Sequence, residues 1–281
     1  MGKNSLKKQV YKTLSEKYKQ GRGESRSAHK AAGDASAYIF SKSTFEDYLK
    51  SCYRFVSYCA ENGCKSLQDC QEQVEGYMST RSGKSAYTQA SELSAIAKLF
   101  GRKSTDYDVS LPKRERTEIQ RSRHYTEKQE HFSEARNASL VEFCKATGLR
   151  RSELEKVRGT DLHDDSKGVY FVVKGKGGKV REAHIYGNVA LVKELSANAG
   201  SSHIFSKISS ACPVHQYRAE YASRIYRAES RDIKSLDRQE LYICRADMAG
   251  ERFDKTALQK VSSNLGHNRL SVAVSHYSHM F

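Results

Sequence analysis

The chain has 281 residues, enough for one large domain or two modest ones, each with its own core. Lysine and arginine number 48 against 33 aspartate and glutamate, so the formal net charge is +15, and the balance of 38% hydrophobic and 29% charged residues excludes a disordered or membrane-embedded chain. No apolar run approaches the roughly 20 residues of a membrane-spanning helix, and the charged start of the chain lacks the apolar segment of a signal peptide. We therefore expect a cytoplasmic protein, and the basic excess favours a polyanionic partner, first of all nucleic acid.

The seven cysteines form no CxxC motif. Cys52, Cys59, Cys64 and Cys70 also lack a histidine at the spacing of zinc ligands. Unpatterned cysteines in an odd number are typical of a reduced intracellular protein. We interpret them as small buried hydrophobic residues on helices, and the sequence predicts neither a metal site nor a cofactor.

The N-terminal part of the chain is predicted to be helical, because apolar residues recur there at helical spacing. The basic stretch at residues 3–26 is expected to form a flexible arm. The sequence Ser43-Thr44-Phe45-Glu46 has the pattern of a capping box that begins a helix. A second helix is predicted from about Ser66, and a third from about Ser85 to a stop at Gly101.

Residues 102–125 break the helical pattern with a proline and a run of basic side chains. We interpret residues 111–125 as a basic linker between a helical domain at 1–110 and a second domain at 126–281. The linker side chains expected to follow a phosphate backbone are Arg114, Arg116, Arg121 and Arg123. A charge run of this kind is also typical of a solvated loop.

The second part of the chain combines helices with a small sheet. A strand at 168–174 is followed by the turn Gly175-Lys176-Gly177-Gly178-Lys179 and by a return strand at 180–186, which together predict a hairpin. The helices predicted after the hairpin are 188–198, 214–229, 254–265 and 271–279. The expected fold class is mainly α with a small antiparallel β-sheet.

The common cofactor and metal motifs are missing from the sequence. It has no Walker A loop, no HExxH motif and no paired metal-binding carboxylates. The GKGGK run resembles a phosphate loop only superficially, because it forms the turn of the predicted hairpin and no helix follows it. If the protein performs chemistry on a nucleic-acid phosphate, side chains alone must meet the negative charge.

Side chains suited to that task occur in order along the second half. Arg150 lies between the end of one predicted helix and the start of the next, and Lys176 lies at the hairpin turn. The remaining candidates are His215 and Arg218, one helical turn apart, His267 after a Leu-Gly pair, and Tyr277 near the end of the last helix. Each residue alone is weak evidence, but the ordered set in these local settings is specific.

This ordered set resembles the tyrosine recombinases, also called phage integrases. The resembling segments are ATGLRRSELEKVRGTDL, VVKGKGGKVREAHI, VHQYR and LGHNRLSVAVSHY, and together they span 146–277. The resemblance implies a helical core-binding domain followed by an α+β catalytic domain, closing as a clamp around double-stranded DNA. It also implies that four protomers act on two recombination sites, with a possible accessory directionality factor.

The resemblance implies a role for each candidate. Tyr277 would attack the scissile phosphate and form a 3′-phosphotyrosyl bond. Arg150 and Arg218 would hold the non-bridging oxygens, and Lys176 would protonate the leaving oxygen. His215 would assist proton movement at the tyrosine, and His267 would hydrogen-bond the phosphate. No cofactor would be needed, because the covalent bond conserves the phosphodiester energy.

Two departures from the family pattern lie between Arg218 and Tyr277. Tyr277 follows His267 by ten positions, where the family more often has nine, and residues 229–252 resemble an insertion.

The expected function is integration or excision of a mobile element in a bacterial or phage-encoded system associated with the nucleoid. The alternatives are strand relaxation like that of a type IB topoisomerase, and a non-catalytic DNA-binding regulator on the same scaffold.

Overall fold

The computed structural model describes residues 5–115, 132–175, 178–245, 248–267, 269–278 and 281. The chain divides into two compact units, residues 1–118 and 119–281. Throughout the described ranges, each helix is too short or too polar to cross a membrane.

The first unit is built from helices packed around one apolar core. Its helices are α1 (Leu6–Gly21), α2 (Arg26–Ala32), α3 (Lys42–Glu61), α4 (Leu67–Gln71), α5 (Val74–Ser79) and α6 (Ala86–Phe100). Helix α3 lies between α1 and α6. The centre of the core contains Leu14, Phe55 and Ile96, all with essentially no exposed surface.

The prediction of a flexible basic arm is wrong for residues 6–21, which form helix α1. Leu6, Val10 and Leu14 are buried and lie four residues apart, so they form one apolar face among the lysines. That face packs against α3. Gly21 ends the helix where a Cβ atom would lie only 2.7 Å from the carbonyl oxygen of Ile39, so the next segment crosses it closely.

The predicted helix starts are partly confirmed. Helix α3 begins earlier than the proposed capping box, because Ser41 is the N-cap and its Oγ accepts the amide of Thr44 at 3.2 Å. Ser66 caps the second helix as predicted, but that segment divides into α4 and α5. The third helix is confirmed, with Ser85 as its N-cap and Gly101 as its C-cap.

The second unit surrounds a three-stranded antiparallel sheet with helices, which confirms the predicted fold class. Its elements are α7 (Ala138–Thr147), α8 (Arg151–Leu154), β1 (Leu162–Asp165), β2 (Gly168–Lys174), β3 (Val180–His184), α9 (Val189–Ala199), α10 (Val214–Glu229), β4 (Leu241–Ile243), β5 (Arg252–Asp254), α11 (Lys255–Asn264) and α12 (Leu270–Tyr277). The sheet order is β1-β2-β3, and the β2–β3 hairpin is the predicted one. Strand β1 was not predicted, because its side chains are mostly exposed and give no alternating apolar pattern.

Strand β4 lies within the predicted insertion and pairs with β5, which begins at the insertion's last residue, to form a second small sheet. Arg231 fixes its base, with its Nε donating to Asp254 Oδ2 at 2.8 Å and its Nη2 to Asp254 Oδ1 at 3.0 Å. Asp254 also caps α11 through the amide of Thr256. These hydrogen bonds, led by that of Arg231, lower the pKa of the buried Asp254 carboxyl. The insertion is therefore anchored to the helix that precedes His267.

Helix α1 should contribute to the stability of the first unit. Leu14→Ala removes a fully buried side chain, so we expect the free energy of unfolding to fall by about 2–5 kcal/mol in a urea titration followed by circular dichroism. The matched control is Lys12→Ala on the exposed face of α1, which should change it by no more than about 0.5 kcal/mol. Equal, small effects of both substitutions would show that these residues are an unpacked arm.

Candidate active site

Five of the six predicted site residues line one cavity of 710 Å³ in the second unit. They are Arg150, His215, Arg218, His267 and Tyr277. Lys176, predicted from the sequence to lie at the hairpin turn, lies outside the described residues. The cavity brings together the start of α8, the start of α10, the loop after α11 and the end of α12.

Arg150 is positioned by the sharp turn between α7 and α8. Helix α7 ends at Gly148, which has φ of +57°, and a Cβ atom there would lie 2.1 Å from the ring of Tyr221. Two residues later, the backbone amide of Arg150 donates to Glu153 Oε2 at 2.7 Å, and its Nη1 donates to Glu153 Oε1 at 2.8 Å. Glu153 therefore holds both the backbone and the side chain of Arg150 at the start of α8.

Glu153 is a buried carboxylate that binds a second arginine. Arg181 on β3 donates to it through both terminal nitrogens, at 2.7 Å to Oε1 and 2.9 Å to Oε2. Burial opposes ionisation of Glu153, but the hydrogen bonds and charge of Arg181 and those of Arg150 outweigh it and hold the pKa at about 2. One negative group thus fixes two cations, and the site keeps a net positive charge.

Arg181 is a site residue that the sequence analysis missed. Its side chain is 5% exposed, and its Nε donates to the backbone carbonyl of Asn264 at 2.7 Å. It therefore connects β3 to the end of α11, directly before His267. A charged residue at an inward-facing position of a short strand was the available sequence signal, since buried arginines require a partner.

Arg218 is buried beside the tyrosine, with all three of its nitrogens engaged. Its Nε donates to the phenol oxygen of Tyr277 at 3.1 Å, and its terminal nitrogens donate to the carbonyls of Gly148 and Leu265. The Leu265 carbonyl also accepts from Arg150 Nη2 at 2.9 Å. Two guanidinium groups therefore lie side by side, and one of them contacts a phenol that is 2% exposed.

His267 lies against the tyrosine ring, with 5.8 Å between the two ring centroids. Its buried Nε2 finds no hydrogen-bond partner among the described residues. Burial, followed by the charges of Arg218 and Arg150, lowers the pKa of His267 to about 3. The imidazole is therefore neutral at physiological pH and offers a nitrogen to a group that enters the cavity.

His215 lies at the exposed side of the same cavity, one turn before Arg218. Partial desolvation, followed by the charges of Arg218 and Arg150, lowers its pKa below the usual value for histidine. A neutral His215 at physiological pH can accept a proton. It is thus the member of the set best placed to exchange protons with solvent.

Gly175, directly after β2 and directly before Lys176 in the sequence, lies close to Glu153 and Arg150. A Cβ atom on Gly175 would lie 2.9 Å from Glu153 Oε1 and 3.2 Å from Arg150 Nη1.

Of the predicted linker contacts, Arg114 is exposed, and its guanidinium lies 5.5 Å from the ring centre of Tyr87. The predicted contacts Arg116, Arg121 and Arg123 lie outside the described residues.

The cavity has the chemistry of a binding site for a tetrahedral oxyanion. Two guanidinium groups supply charge-assisted donors, and the neutral His267 can supply a further hydrogen bond. Tyr277 places a phenol oxygen in the same cavity, and a phenol is a side-chain group that can act as a nucleophile. This arrangement fits attack by an oxygen nucleophile on a bound phosphate.

Comparisons with known proteins support the fold. No family model and no curated protein sequence matches the chain. Among solved structures, the XerH site-specific recombinase bound to difH substrate in a pre-cleavage complex aligns with a TM-score of 0.54 and 15% identity, covering 97% of this chain and 90% of that chain. XerH in a post-cleavage complex with a palindromic difH substrate aligns with a TM-score of 0.52 and 15% identity, covering 97% and 91%. The chain shares its fold with this site-specific recombinase, which confirms the resemblance at the level of fold.

The Glu153 carboxylate should make the stability of the second unit sensitive to acid. Its pKa is lowered to about 2 in the folded protein, so its stabilisation is complete above the unfolded pKa of about 4.3 and is lost as the pH falls towards 2. The corresponding loss is about 3 kcal/mol. At pH 7, Glu153→Gln should cost about 3–5 kcal/mol, because it leaves Arg181 without its buried partner.

Urea unfolding at several pH values between 7 and 2 measures both effects. Glu155→Gln, at the exposed residue that directly follows the same short helix, is the control and should behave as the unmodified chain does. A Glu153→Gln variant that keeps the full acid dependence would contradict the assignment.

Proposed function

We propose that this chain is a site-specific DNA recombinase that cuts and rejoins strands through a 3′-phosphotyrosyl intermediate. The observation that carries the proposal is the hydrogen bond from Arg218 Nε to the Tyr277 phenol, within a cavity that Arg150 and His267 also line. A phenol at this position has a phosphate-binding group directly beside its nucleophilic oxygen. The XerH site-specific recombinase, which shares the fold, is bound to difH substrate in both structures, which favours site-specific recombination over strand relaxation.

In the first step, the Tyr277 oxygen attacks the phosphorus and forms the O–P bond while the bond to the 5′ oxygen breaks. His215 accepts the phenol proton, and Lys176 donates a proton to the leaving 5′ oxygen. The position of Gly175 supports Lys176 as the acid, because Gly175 lies close to Arg150 and Glu153 and Lys176 is the next residue in the sequence. In the second step, a 5′-hydroxyl from another strand attacks the phosphotyrosine and releases the phenol. No metal takes part in the proposed steps.

Charge stabilisation in the proposed reaction depends on the two arginines. Arg150 and Arg218 would bind the non-bridging oxygens, where negative charge increases in the transition state. In this structure Arg218 uses all its nitrogens on Tyr277 and on two backbone carbonyls. A bound phosphate must therefore replace some of these contacts, and release of the Tyr277 bond frees the phenol for attack.

The proposal extends to the assembly. Four protomers would act on two double-stranded sites and exchange one pair of strands at a time, in the integration or excision of a mobile element. The formal charge of +15 and the exposed Arg114 fit a partner with a phosphate backbone.

Tyr277→Phe should abolish the covalent protein–DNA adduct. The ring and its packing are kept, and only the hydrogen bond with Arg218 is lost, so the variant should fold and bind DNA as the unmodified chain does. A nicked substrate carrying the element's own recombination site would trap the adduct, which is then detected by denaturing electrophoresis. Tyr186→Phe is the matched control, since Tyr186 instead donates to Glu229 and lies outside the cavity. An adduct that persists in Tyr277→Phe would disprove the assignment of the nucleophile.

Lys176→Ala should slow cleavage by about 10²–10⁴-fold, the usual contribution of a general acid. A substrate with sulfur in place of the bridging 5′ oxygen needs no proton on its leaving group, so its cleavage should be nearly unaffected. Lys174→Ala and Lys179→Ala on the same hairpin are the controls and should cleave both substrates normally. Equal slowing on both substrates would remove Lys176 from the role of acid.

A further inference from the structure

Three cysteine thiols meet in the first unit. The sulfur atoms of Cys59, Cys64 and Cys70 lie within 4.8 Å of one another. Cys59 and Cys70 are buried, and Cys64 is half-buried. In the described part of the chain, this is the group of histidine, cysteine and acidic side chains that is compact enough to hold a metal ion.

The backbone at this corner holds the three thiols in place. Cys59 lies in the last turn of α3, and Gly63, with φ of +83°, reverses the chain directly before Cys64. The amide of Cys64 donates to the carbonyl of Cys59 at 3.0 Å. The capping box that starts α4 then returns Cys70 to the same point. The sulfur atoms therefore converge from three successive segments whose hydrogen bonds are already made.

We propose that this three-thiol cluster binds one thiophilic divalent cation, with Zn²⁺ as the cation that fits best. The donors are all sulfur, and soft thiolate ligands select zinc over the hard cations magnesium and calcium. A Zn–S bond of about 2.3 Å in tetrahedral geometry places the sulfurs about 3.8 Å apart. The thiols must therefore close by about 1 Å at most for each pair.

The half-buried Cys64 gives the cation a route from solvent and leaves the fourth position to water. Each thiol that binds exchanges its S–H bond for an S–Zn bond and releases a proton to solvent. Without metal, burial raises the pKa of Cys70 to about 11 and raises that of Cys59 as well, so neutral thiols can pack in the core. Bound Zn²⁺ would then cross-link the end of α3 to α4.

The spacing explains why the sequence predicted no metal site. Four residues separate Cys59 from Cys64, and five separate Cys64 from Cys70, so no CxxC motif is present. The chain breaks between α4 and α5, so Cys70 lies in the last turn of a short, capped helix. The sequence analysis predicted one helix over this segment and so did not bring Cys70 to the other two thiols. The inference does not depend on the proposed recombinase activity, since it concerns the first unit alone.

Cadmium titration of the reduced, metal-free full chain tests the proposal. Cd²⁺ bound by thiolates gives an ultraviolet charge-transfer band, and we expect it to saturate at one equivalent per chain. Cys64→Ser removes the half-buried ligand and should weaken binding at least about tenfold. Cys52→Ser is the matched control, because Cys52 is buried in the same core but its thiol donates to the carbonyl of Ala95. Zn²⁺ should displace the Cd²⁺ band and raise the unfolding temperature of the unmodified chain but not of Cys64→Ser.

The opposite results are equally clear. Absence of a saturable band, or a band that Cys64→Ser leaves unchanged, would overturn the proposal. Cys212 is a buried free cysteine of the second unit. A band that Cys212→Ser removes and Cys64→Ser keeps would place the cation on other thiols and would also overturn the proposal. Circular dichroism of each variant confirms that it is folded, so loss of the band in a folded Cys64→Ser supports the site.

Discussion

The buried carboxylate of Glu153 is the constraint on which the candidate active site depends. It accepts hydrogen bonds from Arg181 on β3 and from both the backbone and the side chain of Arg150 at the start of α8. Removing one partner of such a group leaves an uncompensated buried charge, which costs far more than an exposed ion pair contributes. The sheet and the helix that carry the two arginines are therefore held in one arrangement. Through the bond from Arg181 to the Asn264 carbonyl, the same arrangement extends to the loop that carries His267.

Backbone carbonyls complete the placement of the arginines. The Leu265 carbonyl accepts from both Arg150 and Arg218, and the Gly148 carbonyl accepts from Arg218. These acceptors carry no full charge, so the two guanidinium groups keep a net positive field around Tyr277. That field disfavours the charged form of His267, which is one cause of its low pKa. The result is a positively charged pocket with a neutral imidazole and a phenol, as the proposed attack on a phosphate requires.

The candidate site residues of the second unit could be predicted from sequence because each lies at a local structural boundary. Gly148 ends α7, a Pro precedes the helix that carries His215 and Arg218, and the hairpin has a glycine-rich turn. Arg181 could not be predicted in the same way, because its role depends on contacts with residues far away in sequence. The packing of α1 was missed, since its lysines conceal an apolar face that is evident only at helical spacing. The thiol cluster was missed because proximity in the fold, and not a motif, brings Cys59, Cys64 and Cys70 together.

The central claim is that Glu153 and Arg181 act as one unit that positions Arg150 for phosphate chemistry. The most direct measurement is a double-mutant cycle of Glu153→Gln and Arg181→Met, with single-turnover cleavage and DNA affinity measured for each variant that folds. Each single substitution should slow cleavage by about 10²-fold through misplacement of Arg150, with DNA affinity nearly unchanged, and the double variant should be no slower than either single one. Independent effects that multiply in the double variant, or cleavage at the unmodified rate in either single variant, would contradict the account.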